Sequence, residues 1–172
     1  MKTKFKDLTI IELNEFKDNR GKFKRIFCSS LFKKNRLNNF VQVNHSVNKS
    51  KGTLRGFHYQ KGKFAEDKLV YCIKGSIWDC VIDLRKKSKT YLKVFGIKLD
   101  GGSNTMLYVP KGFAHSFLTL KDNSEVIYFS SNFYDPASEG GVRYNDSKFK
   151  IKWPIKPKLI SDKDKTFPDF KS

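Results

Sequence analysis

The chain has 172 residues, of which 38% are hydrophobic and 15% aromatic, and its formal net charge is +18 at pH 7. This length fits a single domain over residues 1–172 with a hydrophobic core, and so many aromatic residues exclude a disordered basic tail. No apolar run approaches the ~20 residues of a membrane span, and the first residues lack the apolar stretch of a signal peptide. We therefore expect a soluble, cytoplasmic protein.

The positive charge is spread along the chain rather than concentrated. Only six of the 35 basic residues are arginine, the residue that base readout and bidentate phosphate binding favour. Between residues 148 and 153 lysines alternate with Phe149, Ile151 and Trp153, which is typical of the solvent-facing side of an edge strand. We interpret most of the charge as a solvated face and expect neither nucleic acid nor membrane as a partner. A basic nucleic-acid-binding β-barrel is kept as an alternative.

Short runs rich in Val, Ile, Phe and Tyr, separated by turn residues, predict an all-β sandwich or barrel. Lys74-Gly75-Ser76 is typical of a tight hairpin, and Asp100–Asn104 of a looser one. Helical signal is confined to Ser29–Asn35 and a short turn near the C-terminus. The predicted strands are Thr9–Leu13, Phe23–Cys28, Phe40–Ser46, Thr53–Tyr59, Lys68–Lys74, Ile77–Leu84, Leu92–Leu99, Met106–Val109, His115–Leu118 and Glu125–Phe133.

The three cysteines offer no obvious chemistry. Cys28, Cys72 and Cys80 are odd in number and lack the CxxC spacing of zinc and redox sites. All three lie in apolar, strand-like runs, and nothing around them marks an activated nucleophile. We expect buried, reduced thiols.

Pro110, Gly112 and His115 form the pattern Pro-x-Gly-x-x-His, which is part of the second motif of the cupin jelly roll. The sequence thus resembles a cupin, and the resemblance implies a jelly-roll barrel with short flanking helical segments. In metal-binding cupins the first motif supplies two histidines and a glutamate, whereas here it reads His58-Tyr59-Gln60 and Lys68 follows soon after. Because a lysine amine would oppose a divalent ion, we expect no metal and no other cofactor.

A metal-free pocket with His, Arg, Lys and Tyr suits an anionic substrate whose chemistry is proton transfer. The chain further resembles the nucleotide-sugar epimerases of the dTDP-4-dehydrorhamnose 3,5-epimerase family, and the likeness runs in order over nearly its whole length. The matching stretches are Asp18–Gly21, Gln42–Ser46, Leu54–Gln60, Lys68–Val70, Asp83–Arg85, Ser88–Tyr91, Tyr108–His115, Tyr128, Tyr134, Glu139, Asn145-Asp146, Trp153-Pro154 and Ser161–Asp164.

The resemblance implies an epimerase that acts on a nucleotide-linked 4-keto-6-deoxy sugar, because the ketone acidifies the hydrogens on C3 and C5. By the same match, His58 is the base, and Asp164 orients it and stabilises its imidazolium. Lys68 stabilises the enolate oxygen, and Tyr128 is the proton donor. Each centre is inverted when the proton leaves one face of the enolate and returns on the other.

The remaining site residues implied by the resemblance bind the substrate. Arg55 and Arg20 bind the diphosphate and the nucleotide, with Arg20 reaching the pocket of the second subunit of a homodimer. Further ligand contacts fall on Gln42, Asn44, His115, Tyr134, Glu139 and Lys163.

Several alternatives stay open from the residues alone. His58 or His115 could be core histidines, His45 could brace a strand end, and Glu139 and Lys163 could be surface charges. A non-catalytic cupin that binds a nucleotide sugar as a ligand or regulator is the alternative function. Single 3- or 5-epimerases share the catalytic residues, so the number of inverted centres is open.

Three positions depart from the family pattern. Arg25 stands where thymidylyl members have a glutamate that contacts the nucleotide, which leaves the nucleotide open. Phe57 replaces the usual leucine and Ser116 the usual glycine, so we expect a different pocket shape near both motifs.

Overall fold

The secondary structure of the chain is taken from a computed structural model that describes residues 3–34, 37 and 39–171. Two short helices, α1 (Ser29–Lys34) and α2 (Asp162–Thr166), accompany the strands, and 3-10 turns cover Gly62–Phe64 and Pro136–Ser138. The strands are β1 (Thr9–Glu12), β2 (Glu15–Asp18), β3 (Gly21–Lys24), β4 (Gln42–Asn48), β5 (Thr53–Gln60), β6 (Lys68–Lys74), β7 (Ser76–Asp83), β8 (Val94–Asp100), β9 (Thr105–Val109), β10 (Phe113–Thr119), β11 (Ser124–Ser130), β12 (Glu139–Gly141) and β13 (Leu159–Ile160).

Two sheets form the body of the fold. One has the strand order β1-β9-β6-β11-β4, and the other has the order β12-β5-β10-β7-β8 with β13 paired in parallel to β5. The other strand pairings are antiparallel, and β2 and β3 form a separate hairpin. This is the all-β cupin jelly roll that the sequence predicts. No helix among the described residues is long and apolar enough to cross a membrane.

The core has three layers because both sheets are covered on their outer faces. Between the sheets, Val70 and Val126 of one pack with Val81 and Phe117 of the other. Outside the five-stranded sheet, aromatic side chains of the α1 region pack on Tyr71 and its neighbours. Outside the six-stranded sheet, the C-terminal segment packs on residues of β5, β7 and β10. Strands that are buried on both faces carry largely apolar sequences, and in β7 the run Cys80–Ile82 is of this kind.

The structure corrects one predicted strand near the N-terminus and confirms the helix that follows it. The predicted strand Phe23–Cys28 is replaced by β3, which pairs with β2 in a hairpin that the sequence analysis missed. Phe16 and Phe23 face each other across this hairpin but are 62% and 60% exposed, so the hairpin has no buried face to make the usual alternation. The predicted helix over Ser29–Asn35 is α1, and Asn35 itself lies outside the described residues.

The predicted edge strand over residues 148–153 does not form. Burial alternates there as expected, since Phe149 is buried and its lysine neighbours are exposed. The backbone is irregular, however, and Lys150 has φ +46°, which no extended strand allows. The apolar side chains of this segment pack on the outside of the six-stranded sheet without backbone pairing.

Two cysteines match the expectation of buried thiols. Burial raises the pKa of Cys72 to about 11, and it also raises the pKa of Cys80. Neither thiol is therefore reactive near neutral pH. Cys28 is a correction, because it is only half-buried, with its Sγ 3.2 Å from Ser30 Oγ.

Candidate active site

A cavity of about 700 Å³ opens at one end of the barrel between the two sheets and α2. A smaller cavity of about 270 Å³ adjoins it. Four residues line both: Asn44, His58, Lys68 and Tyr128. These four come from two different sheets, so the place where the cavities meet has functional groups on opposing walls.

Strand alternation explains the wall made by the five-stranded sheet. In β4, Gln42 and Asn44 line the smaller cavity, whereas Val43 lines neither cavity and is more than half exposed. In β11, Tyr128 lies opposite Asn44 and continues the inward row. Because successive side chains of a strand alternate between its faces, one face of this sheet supplies polar groups to the cavities.

The wall made by β5 depends on an irregularity. Arg55 and His58 are three residues apart, and in a regular strand they would point to opposite faces. The pairing of β5 with β10 shifts register between His115 and Ser116, so that His58 lies opposite His115 and Arg55 opposite Phe117. All four of these side chains line the larger cavity. The register shift therefore brings Arg55 and His58 into one site.

Gly56 lies at this irregularity with φ +111°, and a Cβ atom there would stand 2.5 Å from the His115 carbonyl oxygen. We expect Gly56→Ala to lower the free energy of unfolding by roughly 3 kcal/mol, through backbone strain and this clash. Urea unfolding measures the loss. The matched control is Gly102→Ala, where φ is +76° but no atom of any described residue beyond its two chain neighbours lies within 4 Å of the added Cβ. Equal losses in both variants would contradict the clash.

His58 is bonded to a buried carboxylate. Its Nε2 lies 2.6 Å from Asp164 Oδ1, and Gly56 N–H donates to Asp164 Oδ2 at 3.0 Å. Burial would raise the pKa of Asp164, but these hydrogen bonds and the His58 ring lower it below its usual value. Asp164 is placed by α2, where its own N–H donates to the capping hydroxyl of Ser161. Asp164 therefore fixes the His58 ring through Nε2, and the ring lines the cavity.

Lys68 and Tyr128 stand together on the opposite wall. Lys68 Nζ is 2.7 Å from Glu66 Oε1, and both side chains are largely buried. The Lys68 ammonium also lies 5.8 Å from the centre of the Tyr128 ring. Burial raises the pKa of Tyr128, and Glu66 raises it further, against the opposing effect of Arg55. The phenol thus keeps its proton at neutral pH and is available as a donor.

Hydrogen bonds link Tyr134, Glu139 and Gln42, which all line the smaller cavity. Tyr134 Oη donates to Glu139 Oε2 at 2.9 Å, and Lys163 forms an ion pair with the same carboxylate. Tyr134 N–H also donates to Gln42 Oε1 at 3.3 Å, and Gln42 donates to Asn44. Glu139 and Lys163 are therefore not independent surface charges, because they join β12 to α2 beside His58.

His115 has a buried carboxylate partner that the sequence analysis did not identify. Its Nε2 lies 2.9 Å from Asp79 Oδ2, and Asp79 is fully buried. Only a tertiary contact between neighbouring strands β7 and β10 creates this pair, since 36 residues separate its members. Glu66, which holds Lys68, was also missed as a site residue. Its sequence signals are that it falls slightly late for the glutamate of the first cupin motif and that it lies close to Lys68.

Other predicted positions lie outside the two cavities. Arg20 stands at the tip of the β2–β3 hairpin, paired with Asp18 at 2.6 Å, and its side chain is 86% exposed. Arg25 is exposed just after β3. Phe57 and Ser116, where we expected an altered pocket, are fully buried and line neither cavity, because they face the outer layer of the six-stranded sheet.

Two further residues are corrected or explained. His45 does not brace a strand end, since it lies in the middle of β4, half-exposed and 3.1 Å from Glu125. Gln60, which takes the place of a metal-ligand histidine, uses its amide to hold the loops at Phe64, Phe133 and Asp135. Within the described residues, no three His, Cys, Asp or Glu side chains are grouped as a metal site would need.

Inversion at a carbon next to a ketone needs a base on one side of the sugar, a proton donor on the other, and a positive charge for the enolate oxygen. The two walls of this barrel carry groups of these kinds, and together with the fold they define a cupin-type sugar epimerase as the class. A family model described as dTDP-4-dehydrorhamnose 3,5-epimerase matches residues 2–172. The chain belongs to the dTDP-4-dehydrorhamnose 3,5-epimerase family.

Individual relatives are similar over almost the full chain. The dTDP-4-dehydrorhamnose 3,5-epimerase of Shigella flexneri is 40% identical over 166 residues, which are 95% of this chain and 91% of that protein. The crystal structure of the Elizabethkingia anophelis NUHP1 enzyme has a TM-score of 0.92 at 42% identity, covering 99% and 94% of the two chains. That of the Bacillus anthracis enzyme, with TDP and PPi bound, has a TM-score of 0.95 at 36% identity, covering 99% and 98%.

Proposed function

We propose that this chain inverts C3, C5 or both in a dTDP-linked 4-keto-6-deoxy sugar by removing and returning a proton through an enolate. The observation that carries the proposal is the placement of His58 on one sheet and of Lys68 and Tyr128 on the other, around the place where two cavities meet. The names of the relatives support the dTDP group and the sugar class.

His58 acts as the base. Its bond to the Asp164 carboxylate fixes the ring and stabilises the imidazolium that forms when the ring takes the proton from carbon. The electron pair of the broken C–H bond moves onto the C4 oxygen, where the Lys68 ammonium stabilises the negative charge. Since Glu66 already holds Lys68 in place, little reorganisation is needed as the charge develops.

Tyr128 returns the proton on the other face. It belongs to the sheet opposite His58, and burial keeps its phenol protonated. The phenolate then recovers a proton from solvent, and the His58 imidazolium releases its proton to solvent, which restores both groups. The smaller cavity, bounded by Tyr134 and Glu139, takes the sugar, and the larger one, where Arg55 lies, takes the diphosphate and nucleotide.

Nuclear magnetic resonance tests this function directly. A dTDP-4-keto-6-deoxyglucose substrate is incubated with the protein in deuterated water, and we expect deuterium at C3, C5 or both, together with an inverted product. The carbons that exchange also tell whether the chain is a double or a single epimerase. Binding of the nucleotide sugar with no deuterium uptake would instead favour the non-catalytic cupin.

We further propose a homodimer in which Arg20 contributes to the partner's cavity. Phe16 and Phe23 expose one apolar face of the hairpin that carries Arg20, and the edge strand β4 exposes Val43. Apolar surfaces of this kind are typical of protein contacts. The cytoplasmic location and the single-domain organisation stay predictions.

Mixing two inactive variants tests the exchange of Arg20. In a heterodimer of Arg20→Ala with His58→Ala, the first subunit keeps His58 and receives Arg20 from the second, so we expect activity to return in the mixture. The control is each variant alone at the same concentration. No recovery, in a mixture that native mass spectrometry shows to contain the heterodimer, would mean that Arg20 does not serve the partner.

A further inference from the structure

The side chain of Arg55 is hydrogen-bonded to the buried side-chain amide of Asn48. Arg55 Nε donates to Asn48 Oδ1 at 2.8 Å, and Asn48 is only 2% exposed. We propose that Asn48 is a positioning residue that aims the Arg55 guanidinium at the diphosphate of the substrate. This inference rests on the proposed function, and it adds a residue that the family resemblance did not supply.

Strand pairing fixes the Asn48 side chain. Asn48 is the last residue of β4 and lies opposite Ser124 of β11. Its Nδ2 donates to the Ser124 carbonyl at 3.1 Å and to the Ser46 carbonyl at 3.3 Å. Because the amide nitrogen is used within the sheet, the amide oxygen has a fixed direction, and that direction is toward Arg55.

The hydrogen bond to Asn48 uses only Nε of Arg55 and leaves the terminal guanidinium nitrogens available. A guanidinium has a fork of N–H donors, and a contact at Nε leaves the two terminal nitrogens able to bind phosphate oxygens side by side. Arg55 itself is exposed and lines the larger cavity. Asn48 lies in the five-stranded sheet and Arg55 in the six-stranded sheet, so the bond also ties the two sheets together at the cavity mouth.

Asn48 is an uncharged partner for Arg55, and this matters for anion binding as much as the geometry does. Arg20, Arg85 and Arg143 each pair with a carboxylate, which cancels much of their positive charge. Among the residues that the structure describes, Arg55 has no carboxylate within ion-pair distance. An amide acceptor orients the guanidinium without neutralising it, so the full charge remains for an anion.

A double-mutant cycle on the affinity for dTDP tests the inference. We expect Asn48→Ala to weaken dTDP binding about tenfold, because the Arg55 fork loses its orientation. Arg55→Ala should weaken it at least as much, and the double variant should bind no worse than Arg55→Ala alone, since Asn48 acts only through Arg55. Isothermal titration calorimetry measures all four proteins.

The control is Asn145→Ala, because Asn145 Oδ1 accepts from Arg143 Nε at 3.0 Å and neither residue lines the two cavities. Its dTDP affinity should equal that of the wild type. Since Asn48 is buried, Asn48→Ser is measured as well. The serine hydroxyl can still form a hydrogen bond at the end of β4, but the serine side chain is too short to reach Arg55 Nε. We therefore expect the same loss of affinity as in Asn48→Ala.

Steady-state kinetics distinguish positioning from general damage to the fold. We expect KM to rise about tenfold and kcat to change less than about threefold, as when an interaction shared by ground and transition state is lost. Unchanged dTDP affinity in both Asn48 variants, or losses that add in the double variant, would overturn the role of Asn48 and leave the proposed function standing. A wild-type protein that does not bind dTDP would overturn both.

Discussion

Replacing His58 by alanine is expected to lower the rate of deuterium incorporation at C3 and C5 by about 10³-fold, because general-base catalysis is lost. The cavity and the Arg55 side of the site do not depend on the imidazole, so dTDP affinity should stay within about threefold of the wild type. Solvent exchange followed by nuclear magnetic resonance gives the rate, and calorimetry gives the affinity.

A variant of Asp164 distinguishes the role of this carboxylate from that of the His58 ring. Asp164→Asn keeps an acceptor for the Gly56 N–H but removes the negative charge beside the imidazole. We expect it to be slower than the wild type yet faster than His58→Ala, since the ring remains. If His58→Ala exchanged deuterium at the wild-type rate while folded, His58 could not be the base.

Changing Tyr128 to phenylalanine is expected to lower formation of the inverted product by about 10²-fold, since the donor on the second face is gone. Deuterium should still enter the unreacted substrate, because His58 can remove a proton and return a solvent-derived one on the same side. The two outcomes are read from one spectrum, in which substrate and product signals are separate.

The control for this variant is Tyr71→Phe. Tyr71 is also a largely buried tyrosine, but its hydroxyl donates to the Ser103 carbonyl at 3.0 Å on the outer face of the five-stranded sheet. It should keep full activity and lose only about 1 kcal/mol of stability. Normal product formation by Tyr128→Phe would assign the proton donor to another group.

Much of the fold could be predicted from the sequence because its strands are buried on at least one face. β6, β7, β10 and β11 coincide closely with predicted runs, since burial forces apolar residues to recur within them. The hairpin of β2 and β3 could not be found this way, because its two phenylalanines are exposed. Residues 148–153 have the alternation of a strand without being one, because side chains can alternate in burial along a backbone that is not paired.

The candidate site, like the fold, could be predicted only in part from the sequence. His58, Lys68 and Tyr128 are implied by the family resemblance of the sequence, and the structure brings them to one place. Asp79 and Asn48 are not, because no local pattern links them to His115 and Arg55. Their pairings depend on which strands become neighbours, and that is a property of the whole chain.

The sequence by itself determined that this basic chain is an all-β protein with a histidine, a lysine and a tyrosine suited to proton transfer. Its +18 charge did not indicate the function, since the cations with a defined position in the site are few. Only the tertiary structure decided that Arg55 and His58 share a face. In a regular strand side chains alternate between the two faces, so residues three apart would point in opposite directions. The register shift between β5 and β10 places both side chains on the same face.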